Sequence, residues 1–171
     1  MLISLASGHS HERCKFSSAP NSRGGSCQKE DAMETARYQK IISMVETIYA
    51  LTASGDWHAV GEMLTEDFRI VEAEGLPYGG EYLGKTALQD LYTKVFAFWE
   101  DASLDRHDMA ISEHNAIVML TMHATSRHTG ERLAMPMCEV LHVRGDKFSG
   151  ITPYYYDTAA IARATGTLSL A

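Results

Sequence analysis

From about Glu34 onward, Tyr38, Ile41, Ile42, Val45, Ile48, Tyr49 and Thr52 recur at steps of three and four residues. That spacing lays them along one face of an amphipathic helix. "SGD" ends the pattern, and Asp56 is placed to cap a short second helix carrying Trp57, Val60, Met63 and Leu64. The period then changes to two. In "TEDFRIVEAE", Phe68, Ile70 and Glu72 alternate with Arg69, Val71 and Ala73, as on a strand. "GLPYGGEYLG" is a loop by composition. Thr86 with Gln89 has the spacing of a capping box, and the helix after it carries Leu88, Leu91, Tyr92, Val95, Phe96 and Trp99 on one face.

Beyond Trp99 the texture is that of a sheet. "DMAIS", "NAIVMLTMHATS", "ERLAMPMCEVLHV" and "KFSGITPYYY" are strand-like runs, parted by the turn-sized "EHN", "RHTGE" and "RGD". "DTAAIARATG" reads as a terminal helix that Gly166 stops, with Asp157 as its cap. Helices segregated from an antiparallel meander of three or four strands make an α+β fold. A curved sheet wrapped around the long first helix would enclose a pocket.

Residues 1–33 are rich in Ser, Gly, His and Asn and show no period. They read as a disordered tail, or as an extension upstream of a start at Met33, because so little apolar area cannot offset ordering entropy. Residues 34–166 form the expected domain, and 167–171 a C-terminal tail.

Charge and composition mainly exclude. A net charge of −7 with no Lys/Arg cluster argues against nucleic acid as a partner. No apolar run approaches a membrane span, and no basic residue precedes the apolar start as a secretory signal would need. The three cysteines, Cys14, Cys27 and Cys138, form no CxxC pair. A Cys14–Cys27 disulfide stays open, Cys138 reads as a small buried hydrophobe, and a cytoplasmic location is the expectation. Eight histidines without HxH or HExxH spacing predict no metal site, and nothing calls for a cofactor.

The stretches "GDWHAVGEMLTEDFRIVEAEGLPYGGEYLGKTALQDLY" (55–92) and "EVLHVRGDKFSGITPYYYD" (139–157) carry a family resemblance. In this order they resemble the SnoaL-like and ketosteroid-isomerase-like branch of the NTF2-like superfamily, over about residues 38–165. The resemblance implies a cone of curved sheet around the first helix, a ligand between the first helices and the concave face, and a homodimer formed through the outer sheet face. It also implies that Glu72 stands where the isomerases keep their proton-shuttling carboxylate, a Glu in place of Asp. The isomerases add a helical phenol and a protonated acid as an oxyanion hole. Those positions fall here on Ile48, with Tyr49 about 100° around the helix, and near Pro136, with Glu139 the nearest carboxylate. Steroid isomerisation is therefore not predicted.

Glu72, in phase with Phe68 and Ile70, is the first catalytic candidate, because a partly desolvated carboxylate suits a general base near neutrality. Glu74 reads as its solvated neighbour. His123, mid-strand and in phase with Ile117, Met119, Thr121 and Thr125, is the second candidate, as an acid/base or an oxyanion donor or else an outward-facing residue. Glu139 ranks below it, since alternation from Pro136 sends it to the other face. Alternation also separates Tyr155 from Tyr154 and Tyr156. Tyr49, Trp57, Tyr78, Trp99, Met137 and Tyr155 are the candidates for binding substrate, with core packing as their plain reading. Met63 and Phe96 are further candidates for apolar lining. Tyr78 and Tyr82 are expected to gate the mouth.

Two functions fit this pattern. One is a cofactor-independent enzyme transferring protons on an apolar carbonyl compound, in an isomerisation, cyclisation or hydration. The other is a non-catalytic ligand-binding or dimerisation module.

Overall fold

The computed structural model describes residues 24–167. Helix α1 (Gly24–Ser54) buries Ile41, Val45 and Ile48, members of the periodic face, together with Met44. It begins at Gly24, about ten residues before the pattern predicted. Gln28, Lys29, Glu30 and Ala32 favour helix, and extending a helix anchored elsewhere costs far less than starting one. Of the expected disordered tail, residues 1–23 lie outside the described residues, as do 168–171 and a Cys14–Cys27 pairing.

Asp56 caps α2 (Trp57–Glu62), its carboxylate accepting the Ala59 N–H at 3.1 Å. Strand β1 (Leu64–Glu72) follows. The stretch read as loop contains a short strand, β2 (Gly80–Leu83), antiparallel to β1 from Arg69↔Leu83 to Glu72↔Gly80. Its glycines disguise it, because the pairing comes from the free edge of β1 and not from local propensity. Helix α3 (Ala87–Phe98) lacks the expected capping box: the Thr86 hydroxyl donates to Asp90 at 2.9 Å instead.

Trp99 is the first residue of β3 (Trp99–Ile111) rather than the end of the helix face. The strand-like "DMAIS" is the end of this strand, and the polar "EDASLDRH" hides the rest because it lies at the edge of the sheet, where its outward side chains meet water. Strands β4 (Asn115–Ser126), β5 (Arg132–Arg144) and β6 (Lys147–Tyr155) form the predicted meander. Helix α4 (Thr158–Ala164) closes the domain, with Asp157 accepting the Ala160 N–H at 2.9 Å and Gly166 leaving at φ +70°.

The six strands run β2-β1-β6-β5-β4-β3 in one open, curved sheet. Only β1 and β6 pair in parallel, so the sheet is mixed rather than purely antiparallel. Its inner face buries Phe68 and Ile70 of β1, Val118 and Leu120 of β4, and Leu141 and Val143 of β5 in one core with Ile41, Val45 and Ile48 of α1. Among the described residues no helix is long and apolar enough to cross a membrane.

Candidate functional site

The sheet and helices α1 and α3 do not close fully over the concave face. They leave a cavity of about 580 Å³, within the usual range for small-molecule sites. Glu72, Tyr49, Met137 and Tyr155 from the sequence reading all line it, together with Glu139 and Tyr92. An inner recess of about 40 Å³ touches both Glu72 and Glu139, enough room for a water or a small substituent.

Glu72 ends β1 on the face of Phe68 and Ile70 and is only 3% exposed. One carboxylate oxygen accepts the Tyr155 hydroxyl at 3.3 Å. The other has no hydrogen-bond partner among the described residues. Burial drives its pKa up to about 7; the Tyr155 bond pulls it down, and the Glu139 charge adds to the rise. Glu74, two residues on, is exposed.

Glu139 faces the same space from β5, and burial pushes its carboxyl upward, opposed by a hydrogen bond from the Tyr49 hydroxyl. Both phenols are raised as well, first by burial, so Tyr49 and Tyr155 act as neutral donors. The site therefore sets a carboxyl raised to about 7 beside a second that burial also pushes upward, two carboxyl groups of unequal surroundings facing one space. Tyr49→Phe is expected to move the Glu139 titration further upward, because it deletes the one interaction favouring the charged form. Carboxyl carbon NMR across pH would show it, and an unmoved titration would mean that the phenol does not hold Glu139.

His123 is not brought to the cavity. Ala116, Val118, Leu120, Met122 and Ala124 take the inner face of β4, so alternation turns His123 outward, where its Nε2 lies 3.0 Å from Asp105. Glu139, ranked below it, faces in: Pro136 is exposed, and Met137, Glu139 and Leu141 follow the inward phase of β5.

Three aromatic candidates back the wall rather than line it. Trp57 packs edge-on against Tyr92 at 5.3 Å, Trp99 is fully buried, and Tyr78 is 1% exposed. Tyr78 and Tyr82 do not gate a mouth, because the Tyr82 hydroxyl donates to the Tyr78 carbonyl at 2.7 Å and both are buried. Phe96 lines the outer cavity, whereas Met63 packs on the core and does not. Cys138 is a free thiol, half-buried on the outer face of β5.

Sequence reasoning left Tyr92 as one more helix-face residue and did not single out Arg106, which also lines the cavity. Arg106 sits in the polar run whose strand period is hidden. Among the described residues no three His, Cys, Asp or Glu side chains gather as a metal ion would require.

With this geometry in hand, sequence comparison finds a match to the SnoaL-like domain over residues 45–151, more than half of the chain. The chain belongs to that family. The matched stretch holds Tyr49, Glu72 and Glu139, while Tyr155 and α4 follow it. No curated protein matches the sequence of this SnoaL-like chain.

Solved structures share its architecture. An NTF2-like protein of unknown function from Burkholderia pseudomallei aligns at TM-score 0.67 and 19% identity, over 74% of this chain and 97% of its own. TerC, co-crystallised with polyporic acid, aligns at 0.66 and 18%, over 74% and 98%. A putative polyketide cyclase from Xanthomonas campestris aligns at 0.57 and 18%, over 75% and 98%. At such identities the likeness is one of fold, and that fold hosts many activities.

Proposed function

We propose that this SnoaL-like protein is a cofactor-independent enzyme that moves a proton on an apolar carbonyl compound, by isomerisation, cyclisation or hydration. The observation that carries the reading is Glu72, a buried carboxylate in the wall of a ligand-sized cavity, with one oxygen unpartnered and a pKa near 7. A structural carboxylate would be satisfied by hydrogen bonds, and one kept partly charged without them is costly unless put to use.

In the proposed step, ionised Glu72 takes a proton from the carbon next to a carbonyl. The bond's electron pair moves onto the carbonyl oxygen, toward which Glu139, its neutral form favoured by burial, donates a hydrogen bond. Glu72 then returns the proton to another carbon or to the leaving oxygen. Tyr155 holds Glu72 in place throughout. The small-molecule complex of TerC and the putative cyclase among its structural neighbours support a ligand of this general kind.

Thermal unfolding against flat apolar ketones would select ligands, and NMR in deuterated water would then follow exchange of their α-protons. Exchange by the wild type that Glu72→Gln removes is the expected result. Exchange that survives the substitution would refute the assignment, and binding without any exchange would favour the non-catalytic module.

The proposal extends to a homodimer formed through the outer sheet face, where Ile117 is 39% and Tyr154 61% exposed beside half-buried Val140 and Cys138. Sedimentation velocity should find a dimer that Ile117→Lys dissociates; a wild-type monomer would end this part of the reading. A cytoplasmic location belongs to the same proposal, in keeping with the free Cys138.

A further inference from the structure

Among the described residues, Arg106 is the one cationic side chain lining the cavity. It comes from β3, a strand whose pairing with β4 breaks twice, between Glu100 and Ser103 and again between Arg106 and Asp108. Each break inserts one residue, as β-bulges do where a side chain must be re-aimed. At the first, Asp101 has φ +51°, the only non-glycine residue with a positive φ among those described. Such backbone strain persists only where the surroundings enforce it, and it gathers at functional sites. At the second, His107 is the extra residue and turns outward to Thr121, 2.8 Å away. Arg106 is thereby left opposite Leu120, on the inner face.

The guanidinium lies 4.9 Å over the Tyr49 ring and is held by Glu46 at 2.8 Å. These contacts fix the fork without exhausting it, since a guanidinium carries five N–H donors. Arg106 stands at the cavity mouth and also lines an open cleft of about 690 Å³ on its other side. That cleft is acidic, but Asp105 faces His123 and Asp108 accepts the Met109 N–H, so neither carboxylate engages Arg106. Tyr49 joins the two ends of the site, its ring under Arg106 and its hydroxyl on Glu139.

We propose that Arg106 binds an acidic group of the ligand, so that the ligand class is an apolar carbonyl compound bearing a carboxylate or similar anion. The anion docks at the mouth in competition with Glu46, and the apolar body reaches inward toward Glu72. This rests on reading the cavity as the ligand site. It explains how a chain of net charge −7 can admit an anion: the general repulsion is reversed locally by one preorganised guanidinium.

The test is equilibrium binding at low salt of 2-naphthoate, its methyl ester and 2-naphthylmethylamine. The acid should bind at least about tenfold more tightly than either neutral or cationic analogue, as one charge-assisted fork contributes. Arg106→Gln should erase that preference while leaving the ester unchanged. Glu46→Gln should tighten the acid, the opposite of what loss of a merely structural ion pair would do. Equal binding of acid and ester, preference for the amine, a preference that survives Arg106→Gln, or no binding of any probe would each overturn the proposal. Because no turnover is measured, a failure of the proton-transfer reading would leave this result standing. Loss of the acid preference alone would leave that reading intact.

Discussion

Glu72→Gln is expected to slow proton transfer by roughly 10²- to 10⁴-fold, the usual worth of a positioned general base, while making the protein more stable above neutral pH. The two effects share a cause. Burial lifts the Glu72 pKa from an ordinary 4.5 to about 7, so the folded state holds its proton over a window in which the unfolded chain has released it. Stability from this group is therefore greatest below about 4.5, falls as pH rises, and levels off above about 7. The penalty at the high end is of order 3 kcal/mol for a carboxylate this deeply buried.

Glutamine is nearly isosteric and never ionises. Denaturation midpoints should coincide with wild type near pH 4 and separate in the variant's favour by pH 8. Coincidence at both pH values would mean that Glu72 is solvated or paired in solution, and it would remove the basis for its catalytic role as well. A site that lowers stability when charged is a familiar form of the trade between stability and activity.

Trp99→Ala is expected to cost about 3–5 kcal/mol, the range for removing a large aromatic from a core. Trp99 is fully buried where α3 turns directly into β3, opposite Ser126, and its carbonyl accepts the Arg127 side chain at 3.0 Å. Its indole N–H is buried beside the Tyr78 hydroxyl, toward which it is directed. Trp99→Phe should lose less, because a ring remains in the core and the cavity left behind is smaller. Urea unfolding with an unchanged slope would measure both. If phenylalanine cost as much as alanine, cavity size would not be what decides the loss, and the account of this core position would be wrong.

Much of the candidate site's lining was legible in the sequence, but unevenly. Glu72 was readable because β1 alternates cleanly and one face of it is apolar, so phase alone aims the carboxylate inward. Tyr155 was readable for the same reason in β6. His123 and Glu139 were misjudged together. Both lie in strands with apolar residues on each face, where period two says which residues share a side but not which side is inward. Arg106 was invisible, since the bulges that aim it interrupt the very alternation by which a strand is recognised.

By itself the sequence determined the α+β order, the inner face of α1, the caps at Asp56 and Asp157, and the family to which the chain belongs. These depend on local periodicity and on side chains bonding to backbone a few residues away, which the chain carries with it wherever it folds. Only the tertiary structure decided that β2 pairs with β1, that Trp99 opens a strand, and that Glu139, Tyr49 and Arg106 meet Glu72 around one cavity. Those facts depend on which strand edges find each other and on bulges that shift register by one residue. Both are settled by packing between segments far apart in the chain.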